Sequence, residues 1–354
     1  MDVVKDLKYR TIRQIGVGAG MNSTVYEALD EIGRTVAVKV IQKANLDRLR
    51  VTDYFAEAKG MSEARHENVV PIITAASNAA EVDLMMPLYR AGSAGDRIKT
   101  GPMSLREARR VGLGMLQGLA AIHVAGILHF DLKPSNVLFS DTDQPMVADF
   151  GQSRMLGPLG VATTPPMYPE GFPPEMYNLG VGTVESDIYL AGLTLYRLVN
   201  GDPFFKGQLV RQVAKHGNDL EACIAAGDLV DLRRFQPHIP ARLRTIIRTA
   251  LATDPGRRYP TSNHLSDALG QCGIETDWSM QGSVAGLLWR GTHPARSPVV
   301  VEATQDITTK RWSVSVFTDG AAGRRSKGRK HFWRVNLSDH QVEEHLRREV
   351  FRNL

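Results

Sequence analysis

Cysteine is nearly absent: Cys223 and Cys272 are the only two in 354 residues. They form no CxxC pair and no framework of bridges, which excludes a small stapled scaffold and leaves a single bond between them open. No apolar run approaches the roughly 18 residues of a membrane helix, so no membrane partner is expected. Met1–Asp6 lacks the apolar core of an export signal, and reduced thiols in a cytoplasm are the simple reading. With 43% hydrophobic and 23% charged residues the chain is an ordinary globular one. Its length exceeds one small domain and suits a two-lobed unit with an appendage.

The net charge of +5 invites a nucleic-acid reading, but the charge is unevenly placed. Between Lys310 and Arg352 eleven Lys and Arg face five acids, so the rest of the chain is about neutral. The basic character belongs to the tail.

The densest chemistry lies in His129-Phe130-Asp131-Leu132-Lys133-Pro134-Ser135-Asn136, followed by Asp149-Phe150-Gly151 with Asp149 eighteen residues after Asp131. A carboxylate, an ammonium and an amide share one short loop, and a second carboxylate follows the next expected strand. In-line phosphoryl transfer needs such a set: an acceptor for the hydroxyl proton, a cation on the migrating phosphate, and metal ligands. Upstream, Tyr9 to Val25 reads as strand, glycine-rich turn and strand, with Gly18 and Gly20 in a GxGxxGxV-like run whose third glycine is Ser23. Glycines there let the backbone approach a phosphate chain, although a plain turn looks the same. Val36-Ala37-Val38-Lys39 alternates as a strand; its lysine is either a surface residue or a phosphate holder.

In their order and spacing these motifs resemble the eukaryotic-like protein kinases of bacteria. The resemblance runs from about Tyr9 to Leu269. It implies an α+β, bilobal protein-kinase fold: residues 1–272, with a small β-rich N-lobe to about 88 and a helical C-lobe from 89. The implied function is a transferase, an ATP-dependent serine/threonine protein kinase of cytoplasmic signalling, with a protein as substrate. The implied base is Asp131, with Lys133 on the γ-phosphate. Lys39 would hold the α- and β-phosphates and pair with Glu57, eighteen residues on in an expected helix from Asp53 to Glu63. Asp53 is the rival, but Glu57 shares a face with Met61. Asn136 and Asp149 would bind Mg2+, with Mn2+ as a substitute. Gly18, Gly20, Ser23, Val25, Ala37 and Lys39 would surround ATP, with Met86, Pro87 and Tyr89 at the hinge. The Asp-Leu-Lys-Pro-x-Asn form of the loop is similar to serine/threonine rather than tyrosine kinases.

Strands are expected at Val69 to Ala76 and Glu81 to Leu88, and a helix from Ser104 to Ala125 opened by a Ser104/Glu107 capping box. Two places imitate the family's closing Ala-Pro-Glu: Tyr168-Pro169-Glu170 and Pro173-Pro174-Glu175. Glu175 is preferred because Asp187 follows by twelve residues. Its implied partner is Arg258, in a structural pair. Thr163 and Thr164 are candidate phosphosites. Phe130 departs from the pattern, since the family often places there an arginine that anchors a phosphorylated activation segment. Control by that phosphate is therefore not expected.

Beyond the kinase-like region, residues 273–297 read as a linker with short ordered pieces, and residues 298–354 as a small basic β-β-β-α domain. Its strands are expected at Pro298 to Ala303, Trp312 to Phe317 and His331 to Leu337, with a helix from Ser338 to Phe351. A unit this small should pack on its neighbour. Arg324, Arg325, Lys327, Arg329 and Lys330 crowd one connection, where nucleic acid or an acidic partner could bind, with Trp333 near enough to stack on a base. A solvated hairpin tip is the bland alternative. The rival functions are a pseudokinase scaffold and a kinase gated through this tail.

Overall fold

The computed structural model describes residues 7–15, 23–43, 65–78, 80–164, 172–283, 286–319, 325–326 and 329–354. Gly18, Gly20, the Asp53 to Glu63 stretch with Glu57, Tyr168, Arg324 and Lys327 lie outside them.

β1 (Tyr9–Ile15), β2 (Ser23–Asp30), β3 (Thr35–Gln42), β4 (Thr74–Ser77) and β5 (Glu81–Pro87) form an antiparallel sheet in the order β1-β2-β3-β5-β4. β3 is central and buried from Val36 to Ile41. Strand alternation sends Val36, Val38 and Val40 into one cluster with Ala28 and Met85. Ala37 and Lys39 consequently share the other face. The strand expected from Val69 begins only at Thr74. Before it the backbone turns to the other lobe: Val70 N–H donates to Val147 O at 2.9 Å, and Val147 N–H to Asn68 O at 2.8 Å.

The C-lobe follows with α1 (Ala94–Ile98), α2 (Leu105–Val124), and the short strands β6 (Ile127–Leu128), β7 (Val137–Phe139), β8 (Pro145–Val147), β9 (Arg154–Met155) and β10 (Ala162–Thr163). Next come α3 (Pro174–Leu179), β11 (Val181–Gly182), α4 (Val184–Asn200), α5 (Asp202–Lys215), α6 (Leu220–Ala225), α7 (Ala241–Ala250) and α8 (Ser262–Gly270). α2 buries the stripe Leu105, Ala108, Val111, Met115, Leu116, Leu119 and Ile122. α4 is buried on nearly every side, as the middle helix of a packed lobe must be.

The cap of α2 differs from the expectation. Ser104 Oγ accepts from Glu107 N–H at 3.3 Å, but the Glu107 carboxylate turns away to Arg97 at 2.9 Å. Asp277 supplies the missing acceptor, taking Arg106 N–H at 2.9 Å and Ser104 O–H at 3.1 Å. A carboxylate at a helix N-terminus satisfies open N–H groups and complements the dipole.

Asp277 also corrects the linker reading, because residues 273–297 carry two full strands. β12 (Asp277–Ser283), β13 (Gly286–His293), β14 (Arg296–Gln305) and β15 (Trp312–Asp319) make an antiparallel meander, and β16 (Arg325–Ser326) and β17 (Arg334–Leu337) both pair with β15. The strand expected at His331 is a 3₁₀ turn over Lys330–Phe332 before β17 begins. The final helix is α9 (Asp339–His345) running into a π turn, Leu346–Val350.

This sheet packs on the C-lobe through a shared core. Trp289 is fully buried and donates Nε1–H to His238 Nδ1 at 3.1 Å. The Phe351 ring meets Trp278 at 4.9 Å, Trp289 at 5.5 Å and His238 at 6.1 Å. Trp333 donates to Val316 O at 3.0 Å and packs on Phe317, so its ring belongs to the sheet rather than to an open stacking platform. Both cysteines are free, buried thiols, and burial pushes their pKa up, away from reactivity.

Candidate active site

The loop between β6 and β7 is fixed from behind by a single carboxylate. Asp187, near the start of α4 and fully buried, accepts His129 N–H at 2.7 Å and Phe130 N–H at 2.8 Å. His123 Nε2 lies 2.8 Å from the same carboxylate, and His123 Nδ1 lies 2.9 Å from Ser262 Oγ. His129 Nδ1 accepts Asp131 N–H at 3.2 Å, which makes Nε2 the protonated nitrogen and lets it donate to Ala148 O at 3.1 Å. That bond ties the loop to the residue before Asp149. His123 and Ser262 escape sequence reading, because nothing in the chain marks a histidine as the neighbour of a carboxylate 64 residues away.

Asp131, Lys133 and Asn136 meet on this support. Lys133 Nζ bonds both Asp131 oxygens, at 2.9 and 2.8 Å. Asn136 Nδ2 donates to Asp131 O at 2.7 Å and Asp131 Oδ2 at 3.0 Å. Its donors are thus spent, and its carbonyl Oδ1 takes only a long 3.5 Å contact from Ser135. Across the cleft Lys39 Nζ reaches Asp149 Oδ1 at 2.5 Å, joining the two lobes. Burial alone would raise the Asp149 pKa, but the Lys39 ammonium, Gly151 N–H and the Lys133 charge prevail and hold it below the usual carboxylate range. Asp149 sits at φ 63°, a left-handed backbone that few non-glycine residues adopt.

At the lobe junction Ala37 pairs with Met86 and Val36 with Pro87 in the β3/β5 ladder. Met86, Tyr89 and Leu138 pack on Val70, Met146 and Ala148, giving the cleft an apolar floor. Val25 stands opposite Lys39 in the β2/β3 ladder, with Ser23 at the start of β2. Sequence reading missed Glu27, whose carboxylate takes Arg13 at 2.7 Å and Arg90 at 2.6 Å and so ties β1 and β2 to the segment just past the hinge.

The residues 9–269 match the protein kinase domain family model. The chain belongs to the protein kinase family. It is 28% identical over 258 residues to the serine/threonine-protein kinase PknL of Mycobacterium tuberculosis, covering 72% of this chain and 63% of that protein. It is 30% identical over 281 residues to the serine/threonine-protein kinase pkn2 of Myxococcus xanthus, covering 75% and 32%. A probable serine/threonine-protein kinase PknB of Lactococcus lactis is 29% identical over 260 residues, covering 71% and 40%. The aligned stretch spans less than two thirds of each of these relatives.

Within this kinase lobe Glu175 and Arg258 form a bidentate pair, at 2.6 and 2.8 Å. The Arg258 side chain is completely buried and also donates to Ala252 O, Glu185 O and Thr253 O. Such saturation is what a buried guanidinium requires. Phe130 has φ 60° and no exposure, and its ring lies against Gly182 and near Met176. The position is an apolar plug under β11 rather than a cation facing the activation segment. Thr163 is exposed on β10, paired with Val181, and Thr164 N–H donates to Gly180 O at 3.0 Å.

The donor set suits a divalent ion carried in with a nucleotide. Among the described residues no group of three or more His, Cys, Asp or Glu side chains could hold a metal alone. Asn136 Oδ1 and an ionised Asp149 would offer such an ion two hard oxygens, a donor set that fits magnesium.

Of the basic stretch in the tail, the structure describes the backbone of Arg325 in β16 and the residues Arg329 and Lys330 at the following 3₁₀ turn. No helix of the described residues is long and apolar enough to cross a membrane.

Proposed function

We propose that this chain is an ATP-dependent serine/threonine protein kinase, and that Asp131, Lys133, Asn136, Asp149 and Lys39 carry the transfer. The supporting observation is two hydrogen-bonded sets side by side, Lys39 with Asp149 across the lobes and Lys133 and Asn136 with Asp131 on one loop, with the Lys133 charge acting on Asp149. The hydroxyl oxygen of a protein serine or threonine attacks the γ-phosphorus, the bond to the β–γ bridging oxygen breaks, and Asp131 takes the hydroxyl proton. Lys133 neutralises charge on the migrating group, and Lys39 turns from Asp149 to the α- and β-phosphates. Asn136 and Asp149 would hold Mg2+, with Mn2+ as a substitute, and the ion would supply positive charge against the phosphates. The adenine enters over Val25, Ala37 and the floor of Met86 and Leu138, with backbone contacts from Pro87 and Tyr89. Gly18 and Gly20 would cover the phosphates, and Glu57 would hold Lys39.

Control runs without an activation-segment phosphate, because Phe130 has no guanidinium to receive one. The kinase unit ends near Cys272, and a C-terminal unit beginning at Asp277 acts as its regulatory partner. Free buried thiols suit a reducing cytoplasm.

Transfer of radiolabelled γ-phosphate from ATP with Mg2+ tests the reading, with wild type beside Asp131→Asn and Asp149→Asn. Label on phosphoserine or phosphothreonine that disappears in both variants supports it. Label that persists in both variants overturns it, as does ATP binding with no transfer to any protein substrate.

A further inference from the structure

The seam between the C-lobe and the C-terminal unit holds a concentration of positive charge that phosphoryl transfer does not use. α7 turns Leu243, Ile246, Ile247 and Ala250 into the core. Arg244 and Arg248, four residues apart, therefore lie one above the other on a neighbouring face. Arg347 belongs to the π turn after α9. The residues on either side of Arg347 meet the segment just before α7: Arg234 reaches Glu343 at 3.3 Å, and the His238 ring meets Phe351 at 6.1 Å. The same segment carries Leu232 and Phe235, which hold Arg248, so Arg347 is brought to that side of α7.

These guanidinium groups are poorly satisfied. Arg244 Nε is buried without a hydrogen-bond partner. Neither Arg244 nor Arg347 has a side-chain hydrogen bond or ion pair among the described residues. Arg248 is fixed by an Nε–H bond to Leu232 O at 2.7 Å and by stacking over Phe235, 5.3 Å from the ring centroid. Glu343, Glu344 and Asp231 are already engaged, by Arg234, Arg348 and Arg233, and Glu349, exposed two residues beyond Arg347, does not share its face of the helical turn. Burial lowers the Arg244 pKa, and the like charges of Arg248 and Arg347 lower it further. A half-buried arginine facing two others costs stability unless an anion joins them. The π turn points the same way, since such turns are rare and frequent at functional sites.

We propose that Arg244, Arg248 and Arg347 form an oxyanion site that takes a phosphoryl group at the seam between the kinase lobe and the C-terminal unit. Planar guanidinium forks match phosphate oxygens in pairs, and three of them balance a dianion. Two arms come from the C-lobe and one from the C-terminal unit, so the bound anion ties the units together.

Thermal unfolding of the full chain, without ATP, is followed while inorganic phosphate or O-phosphoserine replaces chloride at constant ionic strength. The expected result is a saturable rise in Tm for wild type. Arg347→Gln and Arg244→Gln should each weaken the apparent affinity roughly tenfold or more. Arg348→Gln, next in the chain but paired with Glu344, should keep it. Tighter binding of O-phosphoserine assigns the site to a phosphorylated residue, and tighter binding of phosphate to a free anion. No saturable rise above chloride, or an equal rise in the Arg347→Gln protein, overturns the proposal. The exposed side of the seam carries Arg347, so that variant decides the matter even if Arg244→Gln fails to fold. A chain that transfers no phosphate would leave this result intact.

Discussion

The peptide N–H of Phe130 donates to Asp187 Oδ1 at 2.8 Å. With the neighbouring bond from His129 N–H, the buried carboxylate holds the backbone of the candidate catalytic loop from beneath. The loop geometry therefore depends on the peptide of residue 130, and its side chain is released to serve packing. An apolar residue can stand before Asp131 without disturbing the groups beyond it.

Replacing Asp187 should unfold the loop's support. Asp187→Ala leaves two buried N–H groups and His123 without an acceptor, at a cost of roughly 3–5 kcal/mol. Urea denaturation of the full chain measures it, and a loss below about 1 kcal/mol would contradict the role given to this carboxylate.

Gly182→Ala should strain the same region from the front. The added Cβ would lie 2.6 Å from Phe130 Cε1, a contact that cannot stand. Overpacking of this kind costs about 1–3 kcal/mol, and Phe130→Leu in the same chain should recover part of it. Additive losses in a double-mutant cycle would sink the claim that the two residues press on each other.

Thr163→Ala and Thr164→Ala, singly or together, should leave phosphate transfer at the wild-type rate if Phe130 has removed the usual receiver. Steady-state transfer to a protein substrate is the measurement. A large fall in kcat that treatment of wild type with a phosphatase reproduces would restore activation-segment control.

His238 gives the seam a pH dependence. Burial lowers its pKa from 6.5 to about 3, because an imidazolium there would be cut off from water. The unfolded chain takes up this proton near pH 6.5, whereas the folded one refuses it until about pH 3. Stability from this group is complete above pH 6.5 and is lost as pH falls toward 3, with a slope of at most about 1.4 kcal/mol per pH unit. His238→Gln cannot charge, so its denaturation midpoint should fall less steeply over that range. Parallel curves for the two proteins would refute the assignment.

The chain itself determined where the candidate catalytic loop lies and the faces of its main elements. Asp131, Lys133 and Asn136 lie within six residues of one another, so their spacing is a local property that survives without coordinates. The stripe of α2 and the alternation of β3 were equally legible, since helix and strand periods are written in adjacent residues. Partners across long separations were not. The stretch around Gly282, Gly286 and Gly291 looked like a linker because glycines weaken a strand signal, yet its backbone groups find a ladder between β12 and β14. Val69 and Val70 had strand-like side chains, but Asn68 O and Val70 N–H bond to Val147 of β8. The Ser104/Glu107 motif was half right, because Asp277 arrived from 171 residues away to take the open N–H of Arg106. Local pattern tells a residue whether to face inward; only the assembled core decides which donor and acceptor it meets there.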